Sequence, residues 1–179
     1  MLQISNVYNI AGVFFNEPTK PHYLIEISRK SELAHTSVKK YLDDLKKDRL
    51  IKESIEKKGK RHFPIYIADI KSPSYKKHKK MYNIMSIKKS GVIEFLKDKL
   101  MPKSIVLFGS YANGDDIEDS DIDIFAEAKK QNVDLNKFER ILKRKIEIHF
   151  NENFNNYPKE LKNNIINGDI LYGYLEAFK

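Results

Sequence analysis

Apolar residues recur along this chain with two spacings, and the change from one to the other marks out its elements. Leu2 to Phe15 places them at helical spacing, and Pro18 and Pro21 end that segment. Leu24 to Ser28 starts a second short helix, with a break at Ser31 to Ala34. Thr36 to Asp48 reads as a third, with Val38, Tyr41, Leu42 and Leu45 on one stripe. Leu50 to Ile55 and Phe63 to Ala68 then flank a turn at Lys57-Lys58-Gly59-Lys60, which predicts a hairpin with a basic tip. After the breaker cluster Lys71-Ser72-Pro73-Ser74, Tyr75 to Lys88 predicts a helix with His78, Met81, Tyr82 and Met85 on one face. A further helix, Ser90 to Leu100, turns Val92, Phe95 and Leu96 inward and stops at Met101-Pro102-Lys103.

Short apolar runs follow. Ile105 to Phe108 and Ile122 to Phe125 read as buried strands bounded by glycine and polar residues. Leu135 to Arg144 predicts a helix, and Lys145 to Phe150 a strand. On that strand Ile146, Ile148 and Phe150 point one way, and Lys145, Glu147 and His149 the other. Pro158 to Ile166 is a last helix, ended at Asn167-Gly168, and Ile170 to Tyr172 a last packed segment.

The chemistry concentrates between the first two of these strands, in Gly109-Ser110-Tyr111-Ala112-Asn113-Gly114-Asp115-Asp116-Ile117-Glu118-Asp119-Ser120-Asp121-Ile122-Asp123. Residues two apart on a strand share a face, so Asp121 and Asp123 aim two carboxylates at one point while Ile122 and Ile124 face the core. Glycine at 109 lets backbone approach a phosphate, and turn amides with the Ser110 hydroxyl can donate to it. A helix starting near Ser110 would add its positive end. Gly109 and Gly114 have the spacing of a P-loop, but Asp115-Asp116 stands where a P-loop has lysine and a hydroxyl residue, so that motif is excluded.

Gly109-Ser110, Gly114 and Ser120-Asp121-Ile122-Asp123 resemble, in order and spacing, the signature of the polymerase-beta-type nucleotidyltransferases, above all the minimal ones of archaea and bacteria. The resemblance implies transfer of a nucleoside monophosphate from a nucleoside triphosphate, ATP being the expected donor. Two Mg2+ ions, or Mn2+ in their place, would assist. Gly109 and Ser110 would contact the triphosphate, and Asp121 and Asp123 would hold the metals. Glu147 stands where the family usually has an aspartate, and is the third expected ligand and catalytic carboxylate. Asn113 stands where minimal transferases often carry arginine. His149, two residues beyond Glu147, is given no role. Some minimal transferases are antitoxins that adenylylate a HEPN-type toxin, which makes such a protein one expected acceptor.

Residues 1–70 resemble a winged helix-turn-helix in element order and apolar spacing. In a nucleic-acid-binding use, Thr36, Ser37, Lys39 and Lys40 would enter the major groove of DNA. Lys57, Lys58, Lys60 and Arg61 would touch phosphates of DNA or RNA; the alternative use of such a domain is dimerisation or docking of a partner protein. The third helix lacks Arg, Asn and Gln, the side chains best shaped for bidentate base readout. The fold expected is therefore α+β: a winged helix at 1–70, a helical linker at 71–89, and a nucleotidyltransferase domain at 90–179 with a small mixed sheet flanked by helices. The rival reading is a DNA-binding regulator or antitoxin in which the transferase fold serves only as a nucleotide sensor or dimerisation body.

Composition narrows this picture modestly. The chain has 179 residues, no cysteine and a net charge of +8. Disulfide frameworks and thiolate metal sites are excluded. No apolar run approaches a membrane span and no secretory signal opens the chain, so a cytoplasmic protein is expected. The charge is uneven: residues 1–70 carry +4, residues 71–103 carry +8, and residues 104–179, which hold the signature, carry −4. The lysines of 76–80 read first as a solvated helix face.

Overall fold

The computed structural model describes residues 6–154 and 157–176. The expected start of the first helix, Leu2 to Ser5, lies outside the described residues. The chain divides between Lys79 and Lys80 into two compact units.

In the first unit, helix α1 (Asn6–Asn16) is followed by the two-residue strand β1 (His22–Tyr23), helices α2 (Leu24–Ser31) and α3 (His35–Lys47), and strands β2 (Ile51–Lys58) and β3 (Arg61–Ala68). The strands form an antiparallel sheet in the order β1-β3-β2. The stripe on α3 is as its spacing dictates: Val38, Leu42 and Leu45 are buried, with Ile27 of α2 and Ile10, Phe14 and Phe15 of α1. Helix α2 stops because Glu32 turns left-handed (φ 56) and returns its N–H to Ser28 O. Gly59 takes the positive φ at the hairpin tip.

Helix α4 (Pro73–Ser90) begins in this unit, where the buried Tyr75 hydroxyl donates to Phe14 O at 2.9 Å. The face expected to pack, His78-Met81-Tyr82-Met85, is not the buried one. Met81 and Met85 are exposed, and the buried positions are Tyr75, Lys79, Asn83 and Ile87, four residues apart in turn. Two of these are polar, so a stripe sought by hydrophobicity falls on the wrong side. Lys79 also leaves the solvated face assumed for its lysine run.

The second unit continues with α5 (Val92–Leu100), β4 (Ser104–Phe108), the single turn α6 (Gly109–Asn113), β5 (Ile122–Ala126), α7 (Asn136–Leu142), β6 (Ile146–Phe150), α8 (Lys159–Ile166) and β7 (Asp169–Gly173). The four strands lie in the order β6-β5-β4-β7; β5 and β6 run parallel and the other pairs antiparallel. This is a mixed α+β sheet domain. One face of the sheet packs Ile105, Leu107, Ile122, Ile124 and Ile146 against α5 and α7 through Val92, Leu96, Phe138 and Leu142. Each such side chain contributes about 1.5–3 kcal/mol on full burial. The other face packs Val106, Phe108 and Phe125 against Phe154 and Ile165 of α8. Period-two alternation therefore sends Asp123, Glu147 and His149 to the α8 side.

A buried polar cluster holds the loop between α6 and β5. Asn83 Nδ2 donates to Asp116 Oδ1 and to Tyr111 O, each at 2.8 Å. Asp116 is almost wholly buried, and Arg144 NH2 lies 3.8 Å from its other oxygen. Burial, reinforced by the Asp116 charge, pushes the Tyr111 phenol above its ordinary pKa. Replacing Asn83 by alanine removes a donor to a buried carboxylate, which costs about 2–3 kcal/mol. Urea unfolding of Asn83→Ala should show that loss; a change below about 0.5 kcal/mol would contradict the role given to the cluster.

Candidate metal and nucleotide site

Strand β4 ends at Phe108 in extended conformation, and Gly109 follows at φ 74. Glycine is required here twice over. The left-handed φ disfavours other residues, and a Cβ would collide with the Asp123 carboxylate on β5. The sequence assigned this glycine to phosphate approach; its immediate neighbour is a carboxylate. Helix α6 spans five residues and ends at Gly114, left-handed at φ 74. The second glycine of the motif is thus a helix stop. One turn offers N–H groups but no extended macrodipole, so the expected helix-end contribution at Ser110 shrinks to those groups.

The approach to β5 is a tight turn. Ser120 Oγ accepts from Ile117 N at 2.9 Å, and Ser120 N donates to Ile117 O at 3.1 Å. Ser120 therefore closes a turn. Ile122 N then donates to Lys145 O at 2.8 Å, which starts the parallel pairing with β6. The resulting register sets Phe108 beside Asp123 and Asp123 beside Glu147.

Three side chains meet above this register. Ligand-capable atoms of Asp123, Glu147 and His149 all lie within 4.8 Å of one another. His149 Nε2 is 3.5 Å from Asp123 Oδ1 and 3.9 Å from Glu147 Oε1. Its ring stands edge-on to Phe108 at 5.1 Å. Burial holds the Asp123 carboxyl above the usual carboxylate range; His149 opposes the rise, and the charges of Glu147 and Asp121 add to it. Asp121 is exposed at the strand entrance and stands outside the three-residue cluster. Of the three expected carboxylates, the structure brings Asp123 and Glu147 together and leaves Asp121 at the rim.

Gly109 and Ser110 line a pocket of about 240 Å³ with Asn113, Asn164, Asn167 and Gly168. It is smaller than a typical whole-ligand pocket of about 300–1,000 Å³ and suits part of a ligand. Asn164 and Asn167 sit on and just after α8, an element the sequence offered no reason to place beside Ser110. A wider cleft of about 890 Å³ opens on the other side of Asp121, between Glu118-Asp119 and the basic turn Lys143-Arg144-Lys145. His149 was legible only as a residue sharing the Glu147 face.

On the first unit, Thr36, Lys39 and Lys40 are exposed on α3 and Ser37 is half-buried. Lys57, Lys58, Lys60 and Arg61 are exposed around the hairpin tip. Lys58 Nζ is partly engaged, reaching Tyr23 Oη at 2.6 Å and Glu56 at 3.2 Å.

The raised Asp123 pKa carries a stability consequence. Above its folded pKa the ionised carboxylate weakens the folded state, and the penalty vanishes once pH falls below the unfolded carboxylate value. Asp123→Asn should therefore raise Tm at pH 7 without added metal, by about 1–3 °C. The gain should disappear near pH 3. An equal or lower Tm at pH 7 would contradict the electrostatics described.

Comparison with known proteins agrees with this geometry. Residues 90–176 match the family described as Polymerase beta, Nucleotidyltransferase. A protein of Methanocaldococcus jannaschii named "putative protein adenylyltransferase" is 56% identical over 39 residues, which is 22% of this chain and 39% of the relative. The match thus spans well under two thirds of the relative's length. No solved structure matches the chain. No helix among the described residues is long and apolar enough to cross a membrane. Residues 90–176 are thus similar to the polymerase-beta-type nucleotidyltransferases.

Proposed function

We propose that this protein transfers a nucleoside monophosphate, AMP by preference, from a nucleoside triphosphate to an acceptor hydroxyl in the cytoplasm. The observation that carries the reading is the Asp123–Glu147 pair facing the Gly109–Ser110 turn. Asp121, Asp123 and Glu147 would hold Mg2+, whose charge would offset the triphosphate and the developing negative charge on the transferred phosphoryl group. The donor set fits divalent cations: two carboxylates converge in a half-buried site, and His149 Nε2 beside them is shielded from water without a hydrogen bond.

The chain's own residues supply position. The amide N–H groups of the Gly109–Ser110 turn and the Ser110 hydroxyl orient the phosphates. Asn113, Asn164 and Asn167 offer neutral amide donors where arginine is absent. The acceptor oxygen attacks the α-phosphorus, the bond from that phosphorus to the bridging oxygen breaks, and pyrophosphate leaves. The hydroxyl proton passes to a site carboxylate, and Glu147, exposed and beside Asp123, is placed to take it. The relative's name makes a protein side-chain hydroxyl, such as one on a HEPN-type partner, the first acceptor to try.

A second activity has its own support in the first unit. The order α1-β1-α2-α3-β2-β3 with an antiparallel β1-β3-β2 sheet supports a winged-helix reading, and exposed lysines occupy both α3 and the hairpin tip. We read it as a nucleic-acid-binding domain that grips phosphates more than bases.

Calorimetric titration with a non-hydrolysable ATP analogue tests the first reading. Binding should require Mg2+ in the wild type and be lost, by at least about tenfold, in Asp121→Asn/Asp123→Asn. Metal-independent binding equal in both proteins would sink it. For the second, a gel shift should show salt-sensitive binding of DNA or RNA that Lys39→Glu/Lys40→Glu weakens at least about tenfold. Wild-type protein that shifts neither nucleic acid at low salt would dispose of the domain's proposed role.

A further inference from the structure

Hard cations such as Mg2+ take oxygen ligands almost exclusively, whereas imidazole suits borderline transition ions. The cluster at the sheet's α8 side contains an imidazole. We propose that His149 is itself a metal ligand, through Nε2, and that the mixed Asp123–Glu147–His149 set makes this centre favour a borderline transition cation of the Co2+ and Zn2+ class over Mg2+. The proposal rests on the reading of the site as a divalent-metal centre and specifies which metal that centre selects.

Geometry comes first. Metal–ligand bonds of about 2.0–2.2 Å place neighbouring ligand atoms about 3.0 Å apart around an octahedral ion and about 3.4 Å apart around a tetrahedral one. His149 Nε2 stands 3.5 Å from Asp123 Oδ1 and 3.9 Å from Glu147 Oε1. Reaching those separations needs His149 Nε2 to close by about 0.1–0.5 Å on Asp123 and by about 0.5–0.9 Å on Glu147. The two carboxylate-bearing residues already face each other across the parallel β5–β6 pair.

The ring's surroundings come second. His149 packs edge-on to Phe108, which fixes one side of the imidazole. Its Nε2 is out of contact with solvent and has no hydrogen-bond partner. At 3.5 Å the approach to Asp123 is longer than a good N–H···O bond. A buried ring nitrogen left without a hydrogen bond is costly, and a metal ion between the three groups satisfies it.

The chain itself departs from an all-carboxylate pattern in a way that accommodates nitrogen. Glu147 is the longer acid, exposed and reaching in from β6, while His149 is two residues along on the same face. Together they replace a rigid oxygen cage by one short acid, one long acid and one imidazole.

The test uses the whole chain and reads the metal directly. Mn2+ bound to the wild type should show coupling to an imidazole nitrogen in pulsed electron paramagnetic resonance. That coupling should vanish in His149→Gln, which keeps side-chain size and folding, the latter checked by an unchanged melting curve. Calorimetric competition should show the wild-type preference for Co2+ over Mg2+ falling at least about tenfold in His149→Gln, with Mg2+ affinity changed by no more than about threefold. Mn2+ bound without nitrogen coupling, or the same Co2+/Mg2+ ratio in both proteins, would overturn the ligand role while leaving the metal-dependent transferase reading intact. Failure of either ion to bind, with or without the ATP analogue, would overturn both.

Discussion

The Asp123 carboxylate occupies the space that a side chain on residue 109 would need, and much of the second unit follows from that close passage. It requires glycine at the end of β4, and glycine permits the left-handed turn that swings Ser110 toward the α8 side. The β4–β5 register places Phe108 opposite Asp123. The parallel β5–β6 pairing then delivers Glu147 and His149 to the same place. One steric constraint thus links the turn, the carboxylate pair and the imidazole.

The site is built from unfavourable parts that packing elsewhere sustains. Asp123, Glu147 and Asp121 repel one another, and burial adds to the cost of ionising Asp123. That cost is borne by a sheet covered on one face by α5 and α7 and on the other by α8, and by the Asn83–Asp116–Arg144 cluster that holds the loop entering β5. Glycines at 168 and 173 serve the same end: a Cβ at 168 would strike the Leu107 carbonyl of β4, and one at 173 the Lys103 carbonyl just before β4. Weakening such a site electrostatically while supporting it mechanically is the usual compromise between function and stability.

Local periodicity carried most of the elements. The α3 stripe, the hairpin around Gly59 and the alternation on β6 are all short-range patterns, and the structure follows them. The motif's fifteen residues made the carboxylates visible because spacing within one stretch is itself the signal. What stayed hidden depends on register between distant segments. His149 gains meaning only when β6 lies beside β5 and Phe108 stands behind it. Asn164 and Asn167 matter only because α8 returns to the Gly109 turn. On α4 the failure has another cause: Lys79 and Asn83 take buried positions, and hydrophobicity cannot reveal a face that is held by hydrogen bonds.

The central claim is that a divalent ion belongs between β5 and β6 beside the Gly109 turn. Paramagnetic broadening of backbone amide resonances by substoichiometric Mn2+ locates such an ion without any assumption about substrate. Amides of residues 109–110, 122–124 and 147–149 should broaden first and together. Broadening centred on the acidic loop at Asp115–Asp119, with those three segments spared, would contradict it.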